Sequence, residues 1–154
     1  MKYENTYHIM KMIGEDLVIE LKSLLQQEGK DATGDLINSI DYQLVETEGG
    51  WEVEIISLDY LQNVDEGRSP GLRPPPTSAI IPWIQSKGIV MTNKNGGFIS
   101  EQSAGFLIAR SIGEKGIQPT NVIDRATSVV LKRYEDKLSD AIADDYLIEL
   151  KIEL

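Results

Sequence analysis

The segment from Gly67 to Pro76 constrains the fold of this chain more than any other. It reads Gly-Arg-Ser-Pro-Gly-Leu-Arg-Pro-Pro-Pro and holds four of the six prolines in the sequence. Proline fixes φ and lacks an amide donor, so this segment neither continues a helix nor enters the middle of a sheet. The sequence therefore predicts a stiff, extended Pro-rich loop over residues 59–76, and a loop of that length in a small domain is typical of a functional segment.

Apolar periodicity predicts the elements before this loop. Residues 5–27 carry apolar side chains at three- and four-residue steps, from Met10 to Leu24, which indicates a helix ended by Gly29. Residues 36–45 and 51–58 read as two strands, the second alternating Trp51, Val53 and Ile55 with glutamates. Gly49 and Gly50 lie between them, so we expect a β-hairpin with one apolar face.

Helices are predicted after the loop. They cover residues 77–87, 100–115 and about 121–142, and the second is expected to bury an apolar stripe of Phe106, Leu107, Ile108 and Ile112. The Gly- and Asn-rich stretch between the first two is interpreted as a mobile loop. Residues 146–154 return to period two, which predicts a C-terminal strand that pairs through Ile148, Leu150 and Ile152. The fold class expected is α+β, a single domain with a small antiparallel sheet flanked by about four helices.

Composition excludes several kinds of chemistry. The 154 residues include no cysteine and one histidine, His8, so thiolate chemistry and multi-histidine metal sites within one chain are excluded. Glu52 and Glu54, like Asp140, Asp144 and Asp145, read as solvated carboxylates because no base, nucleophile or further ligand accompanies them. No apolar run is long enough to span a bilayer. We therefore expect no catalytic residue, no metal, no cofactor and no membrane partner.

The charge of the chain is unevenly distributed. The net charge is −10, which disfavours tight binding of DNA. Residues 41–66 carry eight acids and no base, whereas residues 68–94 carry four bases and no acid. Adjacent segments of charge −8 and +4 are either two solvated faces or complementary faces of neighbouring subunits.

Short motifs in the middle of the chain resemble a known family. They span roughly residues 30 to 126, and their order and spacing together carry the resemblance. The matching motifs are Thr33-Gly34-x-Leu36-x-x-Ser39-Ile40, Tyr60 with Glu66-Gly67-Arg68-x-Pro70-Gly71, Pro74-Pro75-Pro76, Ile81-x-Trp83-Ile84-x-x-Lys87-Gly88, Leu107-Ile108-Ala109-Arg110-x-Ile112 and Gly116-Ile117-x-Pro119. In these motifs the chain is similar to the neck and tail-completion proteins, or minor tail components, of tailed bacteriophages.

This resemblance implies a structural protein of the virion, made in the cytoplasm of a bacterial host. Such proteins are α+β subunits that form homo-oligomeric rings at the head–tail junction. Their partners are portal or adaptor, neck and tail proteins, and the ring encloses DNA without binding it specifically. An acidic subunit suits that role because it repels phosphate. The alternatives are a tail terminator, a cytoplasmic regulatory or antitoxin-like binding module, and a carboxylate-dependent nuclease or hydrolase.

The candidate site residues follow from the loop and its neighbours. We expect Ile81, Trp83 and Ile84 to pin the Pro-rich loop to the core, with Trp83 itself in the core. Arg68 is expected to form an ion pair that anchors the loop or joins two subunits. The full set predicted for the interface or for loop anchoring is Tyr60, Glu66, Arg68, Arg73, Pro74, Pro75, Pro76, Ile81, Trp83 and Ile84.

Overall fold

Two long antiparallel helices form the framework of the fold. The computed structural model describes residues 3–29 and 34–152, with the side chains of residues 60 and 148–152 excepted. The elements are α1 (Glu4–Glu28), α2 (Asp35–Ser39), β1 (Asp41–Thr47), β2 (Gly50–Ile56), α3 (Tyr60–Glu66), α4 (Thr77–Lys87), α5 (Glu101–Lys115) and α6 (Val122–Ile152). The fold class is α+β, as predicted.

Helices α1 and α6 enclose the main core. Leu21 and Leu25 of α1 pack with Val122 and Val130 of α6, and all four are almost fully buried. At the surface of the pair, Arg133 donates a hydrogen bond of 2.7 Å to Asp16, and the Tyr134 hydroxyl donates one of 2.9 Å to the same carboxylate. The hydrogen bond from Arg133, opposed by partial burial, lowers the pKa of Asp16.

The β-hairpin packs against α1. Strands β1 and β2 pair antiparallel from Asp41↔Ile56 to Thr47↔Gly50, so the predicted β-hairpin is confirmed. Val53 and Ile55 are half-buried toward the core while Glu52 and Glu54 are exposed, as the alternation predicts. Gly14 makes this packing close, because a β-carbon there would come within 2.3 Å of the Tyr42 ring.

The predicted C-terminal strand is wrong. Helix α6 continues without a break to Ile152, so Ile148, Leu150 and Ile152 lie in a helix, and residues 153–154 lie outside the described part. No glycine or proline interrupts residues 122–152, and extending an existing helix requires no new nucleus. Ala141 and Asp145, four residues apart, also keep one face of this helix against α1. The prediction that Asp145 is solvated is therefore wrong, because α1 covers its carboxylate.

The first part of the predicted Pro-rich loop is also helical. Residues 60–66 form α3, because Leu61 and Val64 are spaced to share one helix face and both are buried in the main core. Residues 67–76 have neither helix nor strand apart from one isolated bridge at Arg68, as expected of that proline content. The start of the predicted first strand, residues 35–39, is likewise a short helix, α2, with Leu36 buried.

Helices α4 and α5 form a separate packing unit beside the main core. Their bounds match the predicted helices, with Ser100 accepting the N-cap hydrogen bond of α5 from the Ser103 amide. Buried Ile84, Ala104 and Ala109 lie between the two helices and are not part of the main core cluster. The structure therefore contains two separate groups of packed side chains, the main core and the α4–α5 unit. The Pro-rich loop connects them along the chain.

Candidate assembly interface

A short backbone bridge joins the α4–α5 unit to the main core. The Arg68 amide donates to the Ile117 carbonyl at 2.8 Å, and the Ile117 amide donates to the Arg68 carbonyl at 2.8 Å. Beside it, the Thr120 hydroxyl donates to the Val64 carbonyl and the Thr120 amide donates to the Asp65 carbonyl. These bonds fix the end of α3 to the start of α6, with α4 and α5 on the intervening chain.

The Pro-rich loop lies directly on helix α5. The Gly71 amide donates a 2.8 Å hydrogen bond to the Gly113 carbonyl. A β-carbon at Gly113 would lie 2.8 Å from the Pro74 ring and 3.0 Å from the Leu72 carbonyl oxygen. The loop is thus held by the backbone of α5 rather than by the core, and Pro74 and Pro76 are exposed with Pro75 half-buried.

Arg68 anchors the loop through a carbonyl group. Its guanidinium donates a short hydrogen bond to the Arg73 carbonyl, and Arg68 itself is half-buried. Within the described residues this contact takes the place of the carboxylate that the sequence led us to expect. An ion pair of Arg68 with a neighbouring subunit stays a prediction. Arg73 is exposed, and Glu66 accepts a 3.0 Å hydrogen bond from Gln62.

We expect Arg68→Ala to loosen the loop while the fold of the monomer is retained. The substitution removes the donor to the Arg73 carbonyl but leaves both backbone bonds of the bridge. A lost hydrogen bond of this kind costs about 1 kcal/mol. Hydrogen exchange across residues 69–73 should accelerate, and assembly should weaken. Arg73→Ala is the matched control, since it keeps the carbonyl; loss of helical signal in Arg68→Ala would contradict the expectation.

The prediction that Trp83 lies in the core is wrong. It is 36% exposed, while Ile84 is buried and Ile81 is half-buried. Ile81 and Ile84 are three residues apart and share the helix face that contacts Gly105 of α5, where a β-carbon would meet the Ile81 side chain at 3.2 Å. Trp83 falls outside that face. The two isoleucines therefore join α4 to α5, and the loop rests on α5 beside them.

Helix α5 buries four small residues and leaves two of its large apolar residues, Phe106 and Leu107, exposed, with Ile108 and Ile112 half-buried. Ala104, Gly105, Ala109 and Gly113 are buried against α4 and the loop. Phe106 and Leu107 are 59% and 47% exposed, although the sequence pattern had suggested an inward stripe. Large apolar side chains left in solvent on one element are typical of a surface that is covered by another molecule.

The segment between α4 and α5 adds two more exposed apolar side chains. Phe98 is 81% exposed and Val90 is 71% exposed. The segment is ordered by its own hydrogen bonds, since the Asn93 side chain accepts from the Asn95 and Gly97 amides at 2.9 Å. Thr92 pairs with Phe98, and the Ile99 amide donates to the Met91 carbonyl. The predicted loop therefore forms a hydrogen-bonded turn, and we name residues 89–99 the Phe98 turn.

An acid-rimmed groove opens on the main core, where helix α3 meets α1 and α6. It has a volume of about 420 Å³, within the range of pockets that enclose apolar groups. Leu17, Leu21, Ile55 and Leu61 contribute apolar surface, and Asp59, Asp65 and Glu66 contribute the acids. Leu58 and Ile123, also in its lining, are 49% and 38% exposed. We call this feature the α3 groove.

The two charged segments of the sequence lie on different bodies of the structure. Of the eight acids in residues 41–66, all but the half-buried Asp65 are exposed, on the hairpin and α3. Arg73, Lys87 and Lys94 are exposed on the loop and the α4–α5 unit. Among the described residues, ion pairs are formed by Arg110, Arg125 and Arg133, and no carboxylate lies within ion-pair distance of Arg73 or Lys94.

Sequence reasoning missed Phe98, Val90, Phe106 and the α3 groove. One signal for the turn was present, because Asn95-Gly96 lies between the apolar pairs Val90-Met91 and Phe98-Ile99, a pattern typical of hairpin turns. The groove had no such signal, since its lining comes from distant parts of the chain. The Tyr60 side chain, a predicted site residue, lies outside the described part, and its backbone begins α3.

The described residues contain no group of side chains that is placed as a metal site. Across residues 3–29 and 34–152, no group of three or more His, Asp or Glu side chains is placed to hold a metal ion. In the same part of the chain, no helix has the length and apolarity to cross a membrane.

Comparison of the chain with protein-family models, curated proteins and solved structures found no match.

Proposed function

We propose that this protein is a structural subunit of a bacteriophage virion that assembles with other copies into a ring at the head–tail junction. The observation that carries the proposal is the inside-out arrangement of helix α5. The α4–α5 unit buries alanines and glycines while Phe106, Leu107 and Phe98 remain in solvent. A protein that works alone gains nothing from this exposure, whereas an assembling subunit buries these side chains in contacts.

Charge supports assembly through two different faces. Closed rings with more than two subunits use head-to-tail contacts, in which one face of a subunit meets a different face of the next. Here the acidic hairpin and α3 belong to the main core, and the basic residues 68–94 belong to the loop and α4–α5. Because one face is negatively charged and the other positively charged, the two faces of neighbouring subunits attract each other.

The proposed position of the ring, at the head–tail junction, is based on the family resemblance. Most of the motifs that carry it map onto the backbone bridge, the Pro-rich loop and the α4–α5 unit, whereas the motif that ends at Ile40 lies at α2 in the main core. A net charge of −10 suits a ring through which DNA passes without being gripped. Portal or adaptor and tail proteins are the remaining partners proposed for the outer surfaces of the ring.

Electron microscopy of the full chain tests this function. We expect concentrated protein to form closed rings with a central opening wide enough for a DNA duplex. Phe106→Ser should weaken ring assembly by about thirtyfold, as loss of a buried aromatic anchor does, without lowering monomer stability. Ile19→Ser, which replaces a 65% exposed residue on α1, is the matched control.

Three results would overturn the proposal. One is a chain that stays monomeric at every concentration, alone and with portal or tail proteins. Another is magnesium-dependent cleavage of DNA by the purified chain, which would establish the nuclease alternative. The third is an equal effect of Phe106→Ser and Ile19→Ser on the rings.

A further inference from the structure

We infer that the Phe98 turn of one copy docks into the α3 groove of the next copy. This inference rests on the proposed function, because it specifies which two faces meet in the head-to-tail contact. The occupant is a second copy of this chain, and the contact joins the α4–α5 unit of one subunit to the main core of its neighbour.

The turn has the shape of a projecting apolar wedge. Exposure alternates along it, with Ile89 and Met91 half-buried and Val90 exposed between them, and with Ile99 half-buried after exposed Phe98. The Thr92–Phe98 bridge and the Met91–Ile99 hydrogen bond hold the two arms antiparallel. Period two along such arms places Val90 and Phe98 on the same side.

The turn is ordered before it docks. The Asn93 amide donates to the Gly97 carbonyl at 2.8 Å, and the Gly96 amide donates to the Asn93 carbonyl at 3.0 Å. With the two amides that donate to the Asn93 side chain, these bonds close the tip of the turn. Docking a preformed segment costs less conformational entropy than ordering a flexible one, so the aromatic contact contributes more of its burial to affinity.

The α3 groove matches the wedge in chemistry. Leu17, Leu21, Ile55 and Leu61 give it an apolar lining for Phe98 and Val90, in a volume that admits side chains of that size. Lys94 lies at the tip of the turn, and the groove is lined by Asp59, Asp65 and Glu66 and by no base. Asp65 is half-buried and accepts from the Ile123 amide, and Glu66 accepts from the Gln62 side chain. Exposed Asp59 is therefore the groove carboxylate best placed to face a cation.

Charge complementarity favours a second copy over another occupant. The basic segment, residues 68–94, has four bases and no acid and ends at Lys94 within the turn. The acids that line the groove belong to residues 41–66, which have eight acids and no base. An apolar floor with an acidic rim therefore meets an apolar wedge with a basic flank. Because turn and groove are different surfaces of one subunit, repeated docking produces a head-to-tail series.

The absence of cysteine allows a direct test by disulfide trapping. Two variants of the full chain are mixed and oxidised: Thr92→Cys, beside Phe98 on the turn, and Ser57→Cys, in the groove lining. One variant carries a size tag, so a cross-link between copies is distinguished from any other product. The matched control replaces Ser57→Cys with Ser139→Cys, an exposed position on α6 about three turns beyond Thr127 of the groove.

We expect Thr92→Cys to cross-link to Ser57→Cys about tenfold faster than to Ser139→Cys. A specific contact raises the effective concentration of one cysteine around the other, and this speeds disulfide formation. Phe98→Ser, in a chain without cysteine, should weaken self-association by about thirtyfold, and Ile19→Ser should not. Equal cross-linking to both partners, or self-association unaffected by Phe98→Ser, would overturn the inference and leave the groove to a different occupant.

The inference and the proposed function fail separately. Closed rings that do not depend on Phe98 and do not trap the Thr92–Ser57 pair would refute the docking contact and leave the ring function standing. Specific trapping in open filaments, with no closed ring, would support the contact and refute the ring function, since head-to-tail contacts close only at the right rotation.

Discussion

Substituting alanine for Gly116 should destabilise the protein by about 3 kcal/mol or more, because the residue is held in a conformation that other amino acids rarely adopt. Gly116 has φ of 72° and ψ of −167°, in a region of the backbone map occupied almost exclusively by glycine. A β-carbon there would also lie 2.2 Å from the Arg68 carbonyl oxygen, the acceptor of the bridge. The variant must therefore distort the bridge that joins α4–α5 to the main core.

Gly67 faces the same constraint from the opposite side of the bridge. It has φ of 69° and ψ of −155°, and a β-carbon there would lie 2.4 Å from the Ile117 carbonyl oxygen. Gly29→Ala is the matched control, since its φ of 60° is also positive but its surroundings are open, and its cost should be about 1 kcal/mol.

Urea unfolding of the three glycine variants measures this difference, and hydrogen exchange locates it. The amides of Arg68 and Ile117 should lose protection in Gly67→Ala and Gly116→Ala and keep it in Gly29→Ala. A free energy of unfolding for Gly116→Ala equal to that of Gly29→Ala would show that the bridge is not a rigid junction.

Replacing Asp145 by alanine should cost about 3 kcal/mol of stability, because one buried carboxylate completes the N-terminus of α1. Asp145 accepts hydrogen bonds from the Asn5 and Thr6 amides at 3.1 and 2.8 Å and from the Thr6 hydroxyl at 2.6 Å. The Asn5 side chain donates a fourth, at 2.9 Å. No side chain from α1 itself caps this end, and a carboxylate there also meets the positive end of the helix dipole.

The same contacts make the contribution of Asp145 depend on pH. Burial alone would raise the pKa of Asp145, but the hydrogen bonds from Thr6 and Asn5 outweigh it and hold the pKa below the ordinary value of 3.8. A carboxylate with a lowered native pKa stabilises the fold fully above its unfolded-state value and loses that stabilisation as pH falls through the native one. The stability gap between wild type and Asp145→Ala should therefore be constant near neutral pH and narrow below about pH 4.

Asp144→Ala is the matched control for this prediction. Asp144 is the adjacent carboxylate on α6 and is exposed, so its removal should change stability by less than about 0.5 kcal/mol. Chemical denaturation of both variants at several pH values makes the comparison. Equal stability of the two variants at neutral pH would mean that α1 does not need its distant cap.

Much of the secondary structure could be predicted from the sequence because strong local signals mark it. Gly29, Gly88 and Gly116 end the three helices that precede them, and Gly49-Gly50 turns the hairpin. Short helices α2 and α3 escaped prediction because five to seven residues carry too little periodicity to distinguish a helix from a strand or loop.

The C-terminal error has a different physical cause. Apolar and charged side chains alternate only over residues 148–152, and this stretch follows directly on a helix of more than twenty residues. Continuation of α6 is favoured because Asp145 is held by the N-terminus of α1, a contact between residues 139 or 140 positions apart. A pairing at that distance along the chain is invisible to any local pattern.

On helix α5, the sequence pattern predicted the wrong side chains to face inward. On α5, Phe106 and Leu107 read as core by hydrophobicity. Close approach of α4 and the loop instead requires the small residues, and Gly105, Ala109 and Gly113 recur every four residues along the buried face. A four-residue repeat of small side chains indicates a close helix contact, and it predicts the inward face better than hydrophobicity does.

Native mass spectrometry of the full chain tests ring assembly most directly. The subunit has a mass of 17.2 kDa. We expect concentrated protein to give one discrete oligomer, whose mass is a whole multiple of the subunit mass and which does not grow further as concentration rises. A spectrum that contains only the monomer at every concentration, or a continuous ladder of unclosed oligomers, would contradict assembly into a ring.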